Sequence, residues 1–130
     1  MDSNKTIIYS SCLFLIIAKS DNKLLKEEIN VIKEIISDFF QIDKQKTTEI
    51  IKQSLLEIEK SIDIYQFSKY LNSELNYSDK LDLIKCVFEI GYVDGELHHL
   101  EYHYIKSIAN LLNVERVDLI NAKKELKRYI

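Results

Sequence analysis

Two acidic segments lie 73 positions apart in this chain and carry the same side chains at the same spacing. Asp21, Leu24 and Glu28 return as Asp94, Leu97 and Glu101, and the second copy adds Gly95 and Glu96. Carboxylates are hard oxygen donors, and a divalent cation such as Ca2+ or Mg2+ requires several of them converging on one point. Asp94, Glu96 and Glu101 could supply such a point, completed by Asp21, Glu28 and loop carbonyls. Where the second copy has Gly95 and Glu96 the first has Asn22 and Lys23. A resident ammonium lowers the affinity of any site beside it, so the second copy would dominate. An EF-hand is excluded, because its bidentate Glu would have to stand where Ile105 and Ile32 do. The same residues also suit a metal-free role. A Glu three positions after an N-cap accepts the cap's N–H and complements the helix dipole, contributing about 0.5–1 kcal/mol. An Asp in a turn accepts amides of its own loop.

His98, His99 and His103 cluster just after the second segment, with His99 and His103 one helical turn apart. Two imidazoles at that spacing can hold Zn2+ or Ni2+, with Asp94 or Glu96 as a third ligand. The zincin order is missing, since Leu100 rather than Glu follows His99. No Gly-flanked Ser, no Cys beside a His and no phosphate-cradling Gly-rich loop is present. The expectation is therefore a chain that binds rather than one that catalyses. Tyr92, Tyr102 and Tyr104 stand near the second segment, and an aromatic exposed beside carboxylates would be a contact surface for a protein partner.

The elements that must position these residues are helices. The chain has no Pro and only two Gly in 130 residues, while apolar residues recur at helical spacing. Seven helices are predicted. The first covers about residues 5–19 and is apolar nearly all round from Leu13 to Ile17, as a central helix must be. The second, about 25–40, carries Leu25, Ile29, Ile32, Ile36 and Phe39 on one face. Asp43 caps a third with Ile51, Leu55 and Ile58, and Ser61 or Asp63 starts a fourth with Phe67, Leu71 and Leu75 inward. Residues 76–78 cap a fifth with Leu81, Ile84, Phe88 and Gly91. The sixth spans about 98–112, and Asn113, Val114 and Glu115 open a seventh with Leu119, Ala122, Leu126 and Tyr129.

The acidic echo extends outward through these helices. Phe14, Leu15, Ile17 and Ala18 match Val87, Phe88, Ile90 and Gly91, and Ile32 and Ile35 match Ile105 and Ile108; the register then slips by one, so that Phe39 matches Leu111. The reading is an all-α single domain, a bundle of about seven helices built from two pseudo-twofold-related three-helix units. Repeat 1 covers about residues 5–58 and repeat 2 about 77–128, joined by a linking helix at about 61–75. Small Ala18 and Gly91 would let the two central helices approach closely.

At 46% apolar content the chain can bury a core without staples. A formal net charge of -3, from 18 basic and 21 acidic residues spread along its length, offers no basic stripe for nucleic acid. Cys12 and Cys86 occupy apolar runs in different repeats at non-equivalent positions and read as free thiols in a reducing compartment. The apolar run 7–18 is too short to span a bilayer and follows Asp2 as well as Lys5. As the partner of the fifth helix it reads as structure rather than as a secretion signal. The protein is expected to be cytoplasmic and not inserted in a membrane.

An apolar helix ending in a small residue, then Asp-Gly-Glu, an apolar residue, and a Glu opening the next helix: this pattern resembles the TerB-like family, the tellurite-resistance domains also seen at the N-terminus of the DjlA co-chaperone. Tyr92 to Leu97 with Glu101 carries the resemblance, and Ser20, Asp21, Leu24 and Glu28 carry it in degraded form. It covers about residues 13–126. It implies a non-enzymatic helical domain with two related halves, an acidic patch that binds metal, and a link to stress responses.

Overall fold

The computed structural model describes residues 3–19, 26–60, 63–92 and 97–127. Among these the chain forms seven helices and no strand: α1 (Ser3–Ala18), α2 (Lys26–Phe40), α3 (Lys44–Lys60), α4 (Ile64–Glu74), α5 (Tyr77–Gly91), α6 (His99–Leu111) and α7 (Arg116–Lys127). The starts follow local polar chemistry. Asp43 Oδ1 accepts from the Lys46 N–H at 2.8 Å, Asp63 Oδ1 from Gln66 at 3.1 Å and Asn76 Oδ1 from Asp79 at 2.8 Å, so side chains satisfy amides at the starts of α3, α4 and α5. Of the two candidates for starting α4, the cap is Asp63.

α2 and α6 end by the same device. Gln41 and Asn113 adopt positive φ, 55° and 59°, and the following residue reaches back: Ile42 N–H to Ser37 O at 3.1 Å, Val114 N–H to Ala109 O at 2.9 Å. These are the left-handed, six-to-one closures of a Schellman turn, with an apolar residue just beyond to pack inward. Gln41 and Asn113 are equivalent in the slipped register of the echo.

α1 forms the centre. Residues 12–18 are all at most 4% exposed, because α2, α3, α4, α5 and α6 pack around them. The α1–α3 seam is closed by small polar residues whose hydroxyls are bonded locally. Ser54 Oγ donates to Ile50 O at 2.7 Å and lies 3.3 Å from Ile8 O, while Cys12 Sγ points at Ser54 O. Thr6 and Tyr70 hydroxyls meet at 3.4 Å where α4 covers α1, and the Tyr9 ring packs tilted against Phe67 and edge-to-face against Tyr70. In the second half, α6 and α7 pack on α5. Across the halves α1 meets α5 and α6, and α2 meets α5. The exchange of α1 with α5 and α2 with α6 maps these contacts onto themselves. α4 packs on α1 and α6, so the two central helices differ in cover. That explains why α1 is apolar all round while α5 keeps exposed Asp82 and Glu89 and half-buried Lys85 and Cys86.

One packing expectation is corrected. A Cβ on Gly91 would lie 2.7 Å from Leu97 Cδ1 and 3.6 Å from Ile105 Cδ1. The missing side chain makes room for the loop leucine folding back onto α5 and α6, not for α1. Cys12 is buried and Cys86 half-buried, and both thiols are free. Leu126 and Tyr129, read onto the inner face of α7, lie outside the described side chains. Among the described residues no helix is long and apolar enough to cross a membrane.

Candidate functional site

α5 runs to Gly91, and Tyr92 closes it with its N–H on Phe88 O at 3.0 Å. The chain is described again from Leu97, which packs against the core, and His98, whose extended backbone (φ -72°, ψ 151°) caps α6. Tyr102 N–H closes the first turn on His98 O at 3.0 Å. Within that turn the His98 N–H donates to Glu101 Oε1 at 3.1 Å. Glu101 is thus the third residue of α6, turned back to the cap and only 3% exposed.

Glu28 occupies the third position of α2 and is only 6% exposed, whereas its neighbour Glu27 is on the surface. Taking a carboxylate out of water is costly unless hydrogen bonds and a positive field replace the lost hydration. The first turn of a helix supplies both, through amides without intrahelical partners and the positive end of the dipole. The two sequence-selected glutamates therefore share helix position and depth. Asp21, Asp94 and Glu96, the remaining members of the proposed cation set, lie outside the described residues. Among the described residues no three of His, Cys, Asp and Glu come together as a metal site. His99 and His103 are exposed on the outer face of α6, His103 ring to ring with Tyr104 at 6.1 Å, and no third ligand joins them among the described residues. The Zn2+ or Ni2+ reading gains nothing from the structure.

A family model described as Tellurite resistance protein TerB matches residues 8–124, which takes in both acidic segments and all but the ends of the bundle. The chain belongs to the TerB family. No significant match was found among curated proteins or solved structures.

Three features of this TerB domain escaped the sequence reading. Tyr102, just after the second segment, lies under two ammonium groups, Lys106 at 4.8 Å and Lys123 at 4.0 Å from its ring centroid, with Phe88 at 6.2 Å on its inner side. Lys106 is one turn from Tyr102 and could have been paired with it from spacing; Lys123 arrives only through α7 packing. On the opposite side, Glu89 of α5 faces Glu34 and Asp38 of α2. Desolvation first, and then these two carboxylates, push its pKa above the ordinary glutamate value. Finally, burial pushes both thiols, Cys12 and Cys86, up to about 12. Ser54 partly offsets this at Cys12, and Glu89 and Asp82 add to it at Cys86. Neither is poised as a nucleophile at neutral pH.

Proposed function

We propose that this TerB domain works by binding rather than by turnover, with the acidic segment 94–101 as its ligand-facing surface, and that a divalent cation is what it holds there. Asp94, Glu96 and Glu101 would provide the ligands, assisted by Asp21 and Glu28. The observation that carries the reading is the burial of Glu28 and Glu101 at the same helix position in both halves. Carboxylate oxygens fit a hard cation such as Ca2+, whose charge would add to the positive field of the two helix N-termini. A single domain of two copies, about residues 5–58 and 77–128 joined by 61–75, underlies this proposal. The reciprocal contacts of α1, α2, α5 and α6 and the matched ends of α2 and α6 support it. A role in a cytoplasmic stress response is the corresponding biological proposal, supported by family membership and by two free thiols.

The bond from His98 N–H to Glu101 favours a second reading, a metal-free module in which the glutamates are structural caps and the same acidic face docks a protein. Thermal unfolding with and without Ca2+, Mg2+ or Zn2+ separates the two. Cation binding raises the midpoint by mass action in the parent chain and not in Asp94→Asn. Absence of any shift, or an equal shift in the variant, rejects the cation.

A further inference from the structure

We propose that the groove between α6 and α7 docks an acidic amphipathic segment of a partner protein. The groove encloses about 410 Å³, with Tyr102, Ala109, Val114 and Ile120 among its walls and Lys106 and Arg116 on its rim. Lys123 completes the rim, because its ammonium shares the Tyr102 ring with that of Lys106. Two like charges on one ring repel each other, and an anion between them would relieve this.

Charge is sorted along α7. Its acids turn to α5: Asp118 accepts from the Tyr77 hydroxyl and Glu125 pairs with Lys85 at 3.4 Å, while Glu115, just before the helix, donates its N–H to the Tyr77 hydroxyl at 3.0 Å. Its cations Arg116 and Lys123 stand with Lys106. Among the described residues no carboxylate lies within ion-pair distance of these three. A chain of net charge -3 thus presents a cationic rim around an apolar floor. Ile120, one of the groove's walls, is 37% exposed and so open to a partner. A phosphate backbone would use the rim but leave the floor wet. A helix or extended segment with carboxylates flanking a Leu-like side chain uses both, and this complementarity selects an acidic peptide over nucleic acid.

The test is a titration of the isotope-labelled full chain, in chelator, with a synthetic peptide carrying Glu and Leu at helical spacing, followed by amide NMR shifts. Shifts should concentrate between residues 102 and 123. Lys106→Glu with Lys123→Glu should weaken binding at least about tenfold, as expected for losing close charge pairs, with the melting midpoint retained. Should half-buried Lys123 prove necessary for folding, Lys106→Glu alone must still weaken binding and steepen no other contact, since Lys106 is on the surface. Peptide shifts on another face, binding that survives charge reversal, or equal shifts from a single-stranded oligonucleotide would each overturn the proposal.

Discussion

The bond between the His98 amide and Glu101 separates the structural role of this carboxylate from any role in ion binding. Glu101→Gln keeps the shape and an acceptor oxygen but removes the charge facing the start of α6. Complementing a helix N-terminus is worth about 0.3–1 kcal/mol at the surface and up to about 2 in buried geometry. With Glu101 only 3% exposed, a loss of about 1 kcal/mol is expected in chelator. Glu101→Ala also strands the His98 N–H, which costs about 1–3 kcal/mol more. Unfolding entropy near 2.1 cal/mol/K per residue makes 1 kcal/mol about 4 °C for a chain of this length. In differential scanning calorimetry the Gln variant should therefore melt about 4 °C below the parent and the Ala variant lower still. A cation at a hundredfold excess over its Kd adds about 2.7 kcal/mol, or about 10 °C, to the parent, and neither variant should recover that gain. Equal midpoints for all three chains in chelator would refute the capping argument. A parent midpoint indifferent to cation would refute the proposed site.

Other consequences are as specific. Gly91→Ala should be close to neutral, because about 0.5–1 kcal/mol of helix propensity offsets the approach to Leu97. Gly91→Val should cost about 1–3 kcal/mol by overpacking, and Leu97→Ala should relieve part of that in a double-mutant cycle measured by urea unfolding. Both thiols should resist an aromatic disulfide reagent at pH 8 unless the chain opens, so labelling rates should rise together with denaturant; a fast-reacting Cys86 in the native protein would contradict its raised pKa. Linkage gives the sign at high pH. Folded thiols hold protons that unfolded ones lose above about 9, so their contribution is intact below that pH and falls as pH climbs toward about 12. Substituting both cysteines by Ala should flatten this part of the stability profile. Glu89→Gln should raise the midpoint slightly at pH 7 by removing repulsion from Glu34 and Asp38. Since the folded pKa of Glu89 is raised, the gain should shrink as pH falls toward 4 and the parent Glu89 takes up its proton. A gain that does not depend on pH would assign the effect to something other than charge.

Chain chemistry acting over four or five residues was readable in advance. Apolar spacing located the seven helices, polar residues such as Asp43, Asp63 and Asn76 marked helix starts, and the spacing from Asp94 to Glu101 placed a glutamate at the third position of α6. These depend on one turn of helix and on amides that lack partners, so the residues concerned are neighbours in sequence. What the tertiary structure decided involves residues far apart. Burial of Glu28 and Glu101 comes from the core behind them. Packing of α4 on α1 and α6 breaks the equivalence of the two central helices, and Gly91 answers to Leu97 rather than to Ala18. Lys123 reaches Tyr102 only because α7 folds across α5, with Asp118 and Glu125 turned to Tyr77 and Lys85 of α5 and Arg116 and Lys123 left beside α6. Periodicity gives each helix a face to bury. Which surface that face meets, and so which charges gather on the outside, depends on how all seven helices fill one volume.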